Sequence, residues 1–382
     1  MKIKKKKIIH IINSLNIGGA EMMLLKLIKA NQSGEFDYEI ISIFKYGKLQ
    51  NQFEEEGIRV NNLNLDKNFL NFFKFPFKLF SCIKKSKPDI IQGWMYHGNL
   101  FAALCKLLII KKTILIFNIR QTLYGLKNEK FLTRLIITFN AFLSKFNLVN
   151  KVIFNSQVSK KQHILFGFKE KTSIIIGNGF DIHKFNINST IRNHYRKNLN
   201  ANNQFIIGNV SRYHEMKGHD TLLDAFSIIL NKINNAHLYL YGLNINKKNK
   251  KLLKKIIDLN LISNVHLMGN VKNVEAVIPG FDLSVISSKW GEGFSNFLGE
   301  SLSCGVPCIS TDIGDSKYII ENDDLIVKPN DKKDLSNAII KYFNLHYNDK
   351  KELSINMRNK IVKNYSTAII FKKYQTLYQE VT

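Results

Sequence analysis

Short apolar runs alternate with stretches of helical period over nearly the whole chain. The run KIIHII (7–12) predicts a buried strand, followed by the loop NSLNIGG and a helix from about Ala20 to Ala30. YEIISIF (38–44), DIIQGW (89–94), TILIFNI (113–119) and KVIFNS (151–156) repeat the strand pattern, with helical stretches between them. Such alternation argues for a parallel sheet with helices on both faces. The turn residues Gly177-Asn178-Gly179 interrupt it, and residues 186–203 read as a polar connection holding one short helix. A second set follows: QFIIGNVS (204–211), AHLYLYG (236–242), NVHLMGN (264–270), DLSVISS (282–288), VPCIST (306–311) and DLIVKP (324–329). Two parallel-sheet α/β domains in tandem fit this order better than one large sheet, and the amphipathic stretch 364–381 closes the chain as a helix.

Charge changes the picture. Among 382 residues the formal net charge is +26, and residues 1–190 hold 30 Lys and Arg against 12 Asp and Glu. An anionic partner (nucleic acid, an acidic membrane surface or a phosphorylated small molecule) would suit that excess. A coding bias toward Lys, Asn and Ile accounts for it as well. The four cysteines, Cys82, Cys105, Cys304 and Cys308, form no CxxC pair and fit free thiols in a reducing cytoplasm. MKIKKKKIIHIINSL imitates the start of a signal peptide, but His10 and Asn13 break its apolar stretch. No run of about 18 apolar residues occurs, so no membrane span is predicted. The chain is therefore expected in the cytoplasm, with peripheral contact at the inner face of an anionic membrane as a further expectation. The segment 68–87 interleaves Phe with Lys and is the candidate for that contact; its other reading is a helix pair, broken at Pro76, with its Phe residues packed inward.

Two stretches carry candidate chemistry. In GNVSRYHEMKGHDTLLDAF (208–226), a strand ends near Val210 and a helix begins around Asp220, leaving Arg212 and Lys217 in the loop between. Open α/β sheets bind ligands at that edge, and an Arg fork beside a mobile Lys suits phosphate oxygens. Solvated basic residues are the plainer reading. GEGFSNFLGESLSCG (291–305) supplies a glycine-flexed turn and a helix from about Ser295 to Cys304, with Ser295 or Asn296 as N-cap and Gly305 as the left-handed residue past its end. Its N-terminus offers free N–H groups to an anion. Glu292 precedes that N-terminus and Glu300 lies a turn and a half inside the helix, so each could hold a sugar diol; a solvated acid at a helix start is the alternative.

SRYHEMKG together with GEGFSNFLGESLSCGVPCISTDIGDS resembles the donor-binding half of family 4 glycosyltransferases. HIINSLNIGGAEMMLLKL, PDIIQGWMYHGNL, NIRQTL, IFNS and GNGFD fall in that family's order, so the resemblance runs from about His10 to Pro329. It implies a GT-B fold, two Rossmann-like parallel-sheet domains facing across a cleft. The expected division is an acceptor-binding domain over 1–185, a nucleotide-sugar domain over 186–365, and a last helix, 366–382, crossing back to the first.

By the same resemblance, Arg212 and Lys217 would bind the donor diphosphate, Glu300 the ribose hydroxyls and Glu292 the transferred sugar. Backbone N–H groups around Gly293, Phe294, Ser295 and Asn296 would face sugar and phosphate, and Gly18 and Gly19 would let the first loop approach the diphosphate. His97 and Arg120 would line the acceptor-side cleft, His97 bonding the sugar or stabilising transition-state charge; a structural His97 and a surface salt bridge at Arg120 are the alternatives. Ser295 replaces a common Pro, and Gly177 stands where Pro is frequent. The implied reaction is metal-independent retaining transfer from a UDP- or GDP-type sugar to a glycan or lipid-linked hydroxyl in cell-surface polysaccharide synthesis, with no cofactor. A sugar-nucleotide epimerase on the same fold is the nearest rival. A nucleic-acid-binding protein would explain the charge but shows no reader surface. NIGGAE is not the G-x-G-x-x-G fingerprint of a dinucleotide dehydrogenase.

Overall fold

A computed structural model describes residues 5–32, 34–44, 47–65, 69–108, 112–123 and 129–382, with residues 69–73 described by their backbone alone. Residues 1–4 and Asn68, parts of two stretches read above, lie outside the described residues. The chain forms two compact units, Met1–Gly179 with Thr367–Thr382, and Phe180–Ser366. The division falls at Phe180, ahead of the expected residue 185. Phe180 N–H donates to the Tyr365 carbonyl at 2.8 Å, and its ring is buried against Phe294 in the second unit's core.

The first unit runs β1 (Lys6–Ile12), α1 (Gly19–Lys29), β2 (Phe36–Ser42), α2 (Gln50–Glu55), β3 (Arg59–Asn62), α3 (Phe69–Ser86) and β4 (Ile90–Trp94). It continues through α4 (Met95–Leu108), β5 (Ile114–Ile119), α5 (Phe131–Lys145), β6 (Lys151–Phe154), α6 (Gln157–Phe166) and β7 (Ser173–Ile175). All strands pair in parallel in the order β3-β2-β1-β4-β5-β6-β7. β1, β4 and β5 read as near-continuous apolar runs because both faces of the sheet's centre are buried.

The second unit holds α7 (Ser189–Asn198), β8 (Phe205–Val210), α8 (His219–Leu230), β9 (Ala236–Tyr241), α9 (Lys250–Asp258), β10 (Val265–Gly269) and β11 (Leu283–Ile286). Then come α10 (Asn296–Ser303), β12 (Cys308–Thr311), α11 (Ser316–Ile320), β13 (Ile326–Val327), α12 (Lys332–Phe343) and α13 (Tyr347–Tyr365). Its sheet is also parallel, ordered β10-β9-β8-β11-β12-β13. The last helix, α14 (Thr367–Glu380), belongs to the first unit. There the Asn118 amide donates to the buried Tyr374 hydroxyl at 3.0 Å, and the buried Tyr378 hydroxyl donates to Gln92 Oε1 at 2.6 Å.

Three local readings change. β3 and β7 were not expected: RVNN is largely polar and SII is three residues long, so neither gives a periodic signal. The segment 68–87 is no helix pair, since α3 runs through Pro76. Pro76 is exposed, where water can satisfy the carbonyl its missing N–H leaves unpaired, while Phe75, Leu79 and Ile83 point into the core. His97 lies in the first turn of α4 rather than in a strand-end loop.

In each sheet the strand order reverses once, between β1 and β4 and between β8 and β11. Ligands of open α/β sheets bind beyond the carboxyl ends of strands at such a reversal. β8 and β11 are neighbours, with Leu283 opposite Ile207 and Ser284 opposite Gly208. The loops that leave these two strands, 211–218 and 287–295, therefore start side by side although about 75 residues of sequence separate them.

Candidate active site

The loop after β8 holds Arg212 exposed and then tightens into a single 3-10 turn, Glu215–Lys217. His214 Nδ1 accepts the Met216 N–H at 3.2 Å and caps that turn. Gly218 follows at φ +63°, and a Cβ there would lie 2.0 Å from the Ser287 carbonyl oxygen. Only glycine lets the chain turn into α8 this close to the second loop. Two hydrogen bonds lock the loops together: Ser287 Oγ donates to the Lys217 carbonyl at 2.9 Å, and Lys289 N–H to the Met216 carbonyl at 2.7 Å.

This locking brings two predicted residues into direct contact. The Lys217 ammonium pairs with Glu292 Oε1, and both side chains are mostly buried (19 % and 14 % exposed). The Ser288 hydroxyl donates to the same carboxylate oxygen at 3.0 Å. Thr311 Oγ1, at the end of β12, holds the Ser288 carbonyl at 2.7 Å, and Asp315 N–H holds that of Gly293 at 2.9 Å. Gly314 (φ +61°) allows this third loop to approach, since a Cβ there would sit 2.4 Å from the carbonyl oxygens of Glu292 and Gly293. The reading of Glu292 as a solvated acid is thus overturned: it is a clamped carboxylate facing a cation.

α10 begins as read. Ser295 is its N-cap, its hydroxyl accepting the Leu298 N–H at 3.4 Å, and Gly305 lies beyond its end at φ +69°. Phe294 and Ser295 are buried, and Asn296 starts the helix half-buried. Glu300 is half-buried one turn before Cys304, whose thiol is pushed up to about 12 by burial, with the Glu300 carboxylate adding to the shift. Arg212, Lys217, Glu292, Gly293 and the start of α10 are therefore gathered at one edge of the second sheet. Among the described residues the Arg212 guanidinium has no ion-pair partner.

The first unit is described by itself. Gly18 is the N-cap of α1 in extended geometry (φ −154°, ψ 170°), so its value is space rather than a left-handed turn. Glu21 fills that space: a Cβ on Gly18 would meet Glu21 Oε2 at 2.4 Å, and burial raises the Glu21 pKa. His97 is half-buried, and burial lowers its pKa below the usual 6.5, which keeps the imidazole neutral near pH 7. The adjacent Tyr96 is anchored twice, its hydroxyl meeting His163 Nε2 at 2.8 Å and its carbonyl accepting Asn140 Nδ2 at 2.8 Å.

Arg120 is a correction. Its Nη1 donates to the Ile176 carbonyl at 3.0 Å and the Tyr374 hydroxyl at 3.2 Å, and its Nη2 to the Gly177 carbonyl at 3.1 Å and to Asn178 Oδ1. A guanidinium spent on those four acceptors ties β5 to residues 176–178 and α14. It offers no free fork to an acceptor, and it is no surface salt bridge.

Sequence reading missed Ser288, Thr311 and Glu21. Only Glu21 had a local signal, since an acid in the first turn of a helix is favoured by the dipole. Ser288 and Thr311 matter through contacts that only the fold makes. Among the described residues no three His, Cys, Asp or Glu side chains cluster to hold a metal ion, and no helix is long and apolar enough to cross a membrane.

Each unit is a parallel Rossmann-like sheet, and the second carries a basic loop and a Glu-bearing helix at its switch point. The chain belongs to the family 4 glycosyltransferases: residues 17–184 match Glycosyltransferase Family 4 and residues 191–367 match Glycosyl transferases group 1. It is 24 % identical over 387 residues to CapM, a capsular polysaccharide biosynthesis glycosyltransferase of Staphylococcus aureus, covering 98 % of this chain and 97 % of that one. A glycosyltransferase of Methanocaldococcus jannaschii, MJ1059, is 27 % identical over 278 residues, 69 % of this chain and 66 % of its own. Anabaena HepE, solved in complex with UDP, shares the fold with a TM-score of 0.85 at 19 % identity, over 98 % of this chain and 100 % of that one. The same protein solved with UDP-glucose gives a TM-score of 0.83 at 21 % identity, over 98 % and 99 % of the two chains.

Proposed function

We propose that this glycosyltransferase moves a sugar, with retention at the anomeric carbon, from a UDP-type (or GDP-type) donor to a hydroxyl of a glycan or lipid-linked acceptor. Its place would be cell-surface polysaccharide synthesis, such as lipopolysaccharide, O-antigen or capsule, on the cytoplasmic side of the membrane. The observation that carries the reading is the Lys217–Glu292 pair at the sheet reversal, with exposed Arg212 and the N-terminus of α10 at the same sheet edge. The similarity to CapM supports the polysaccharide setting, and HepE, solved with UDP and UDP-glucose, supports a UDP donor.

The chemistry follows from charge. An ammonium has three N–H donors, so Lys217 can keep Glu292 and still hold a phosphate oxygen. Arg212 adds a rigid fork to the same diphosphate. Together they offset the charge that grows on the leaving group as the C1–O bond breaks. Glu292 Oε1 is held by Lys217 and Ser288, which leaves Oε2 for sugar hydroxyls. Glu300, deeper on α10, takes the ribose diol. The acceptor hydroxyl attacks C1 from the face the diphosphate leaves, and its proton passes to the departing phosphate oxygen. In the first unit, Gly18, Gly19 and the neutral His97 are the residues this reading reserves for the substrates.

Two measurements test this. In a panel of UDP-, GDP- and ADP-sugars, one nucleotide class should raise the melting temperature, through a mass-action stabilisation of about 2.7 kcal/mol at a hundredfold excess over Kd. No stabilisation by any nucleotide-sugar would sink the reading, and conversion of donor alone to an epimer would favour the rearranging enzyme. Second, Ser288→Ala should lower sugar transfer about tenfold or more, the worth of one hydrogen bond to a charged group. Affinity for nucleoside diphosphate alone should stay unchanged; a parallel loss of both would mean that Ser288 only holds the loop.

A further inference from the structure

We propose that α5 is the element by which this protein docks on an anionic lipid bilayer. Its exposed apolar side chains are large and fall on one stripe: Phe131 (74 %), Leu132 (64 %), Leu135 (50 %), Phe139 (42 %) and Phe142 (53 %), with Phe146 (51 %) just past its end. At about 100° per residue the five helical positions span roughly a quarter of the helix circumference. Ile136, Ile137, Asn140, Ala141, Leu143 and Ser144 occupy the opposite side and face the core. The helix is thus apolar on two faces, one more than a fold requires. Phe139, Phe142 and Phe146 form an exposed ladder, with ring centroids 6.2 and 4.8 Å apart. Beside it an apolar groove runs between Leu100 of α4 and Leu135, Phe139 and Phe142 of α5.

Charge selects the occupant. α3, α4 and α5 contain no Asp or Glu. Over residues 67–169 the chain has 18 Lys and Arg against only Asp89 and Glu129, so this stretch holds +16 of the total +26. Lys130, Arg134, Thr138 and Lys145 line one edge of the apolar stripe. On α3 the exposed Phe77 sits among Lys74, Lys78, Lys84 and Lys85. A second copy using the same face would oppose like charges, whereas an anionic headgroup layer complements them and its acyl boundary takes the Phe and Leu side chains. The expected contact by segment 68–87 is revised accordingly: α3 turns Phe75, Leu79 and Ile83 inward and contributes mainly lysines, while α5 supplies the apolar surface.

The proposed lipid-linked acceptor gives this docking its purpose, but the docking can be measured without donor or acceptor. Full-length protein is floated with vesicles of phosphatidylcholine alone or mixed with phosphatidylglycerol, at low and high salt. Binding is expected only to the anionic vesicles and to weaken with salt. L135Q/F139Q/F142Q should bind about tenfold less, and K130Q/K145Q should lose most of the salt-sensitive part. Both variants should keep the wild-type melting temperature and the same hydrolysis of donor in solution. Unchanged vesicle binding by the triple variant, or no preference for anionic lipid, overturns the proposal. A solution dimer that the triple variant dissolves would assign the face to a second copy instead. If vesicles bind but no nucleotide-sugar does, the enzymatic reading fails while the surface stands.

Discussion

Lys217→Ala is expected to lower kcat/KM for the donor at least about tenfold, and Glu300→Ala to do the same. For Lys217 the loss has two parts. The ammonium is one of two cations proposed to neutralise the leaving diphosphate, and removing one preorganised donor from a reacting oxyanion commonly costs 10²–10³. The truncation also leaves Glu292, itself mostly buried, with Ser288 as its remaining partner, so part of the carboxylate's anchoring goes as well. Lys217→Arg separates these parts: it restores charge toward the phosphate but cannot reproduce the point contact with Glu292 Oε1. Glu300→Ala should weaken every donor alike, because the ribose is common to all of them. Glu292→Gln should instead change the ratio of rates between sugars. Initial rates with two donors that differ only in the sugar decide the matter, and near-wild-type turnover in either alanine variant would falsify the assignment.

Much of this site was legible in the sequence, for a physical reason. A Ser N-cap, a Gly past the helix end and a Gly-flexed turn are local devices, so α10 and the placement of Glu292 and Glu300 follow from a few adjacent residues. Alternating apolar runs likewise announce a parallel sheet, because its buried strands need little else. What escaped was anything set by distant pairing. The Lys217–Glu292 contact exists because β8 and β11 are neighbours, which no local pattern states. Arg120 reads as an ordinary basic residue until the carbonyls of 176–177 and the Tyr374 hydroxyl surround it. α5 escaped differently: apolar residues lie on both its faces, and burial alone shows which face is spare.

Acidification is expected to destabilise the protein steeply below about pH 6.5, because three buried histidines are folded as neutral bases. His10, His163 and His219 are 0 %, 0 % and 2 % exposed, and burial, first among the causes, lowers them to about 3, about 4 and about 4. The hydrogen bonds modify this: the one His163 makes to the Ser159 carbonyl raises its pKa, but burial outweighs it. His10 Nδ1 accepts the Trp94 indole N–H at 3.1 Å, so a proton there would face another donor. His163 accepts the Tyr96 hydroxyl at Nε2 while Nδ1 donates to the Ser159 carbonyl, each at 2.8 Å, so charging it forces the hydroxyl to turn. His219 lies next to Gly218, and the Lys217 cation lowers its pKa further. In the unfolded chain all three titrate near 6.5. Between that value and about 4 the unfolded state therefore holds more protons than the folded one. Stability is complete above 6.5 and is lost as pH falls, by up to about 1.4 kcal/mol per pH unit for each histidine. Two of the three stand in the first unit, His10 on β1 and His163 on α6, and His219 on α8 stands in the second. Calorimetry across this range should accordingly show the melting temperature falling as pH drops. His219→Asn should make that fall shallower. A melting profile level from pH 7.5 down to about 5.5 would mean that these imidazoles accept protons without cost, which their burial does not allow.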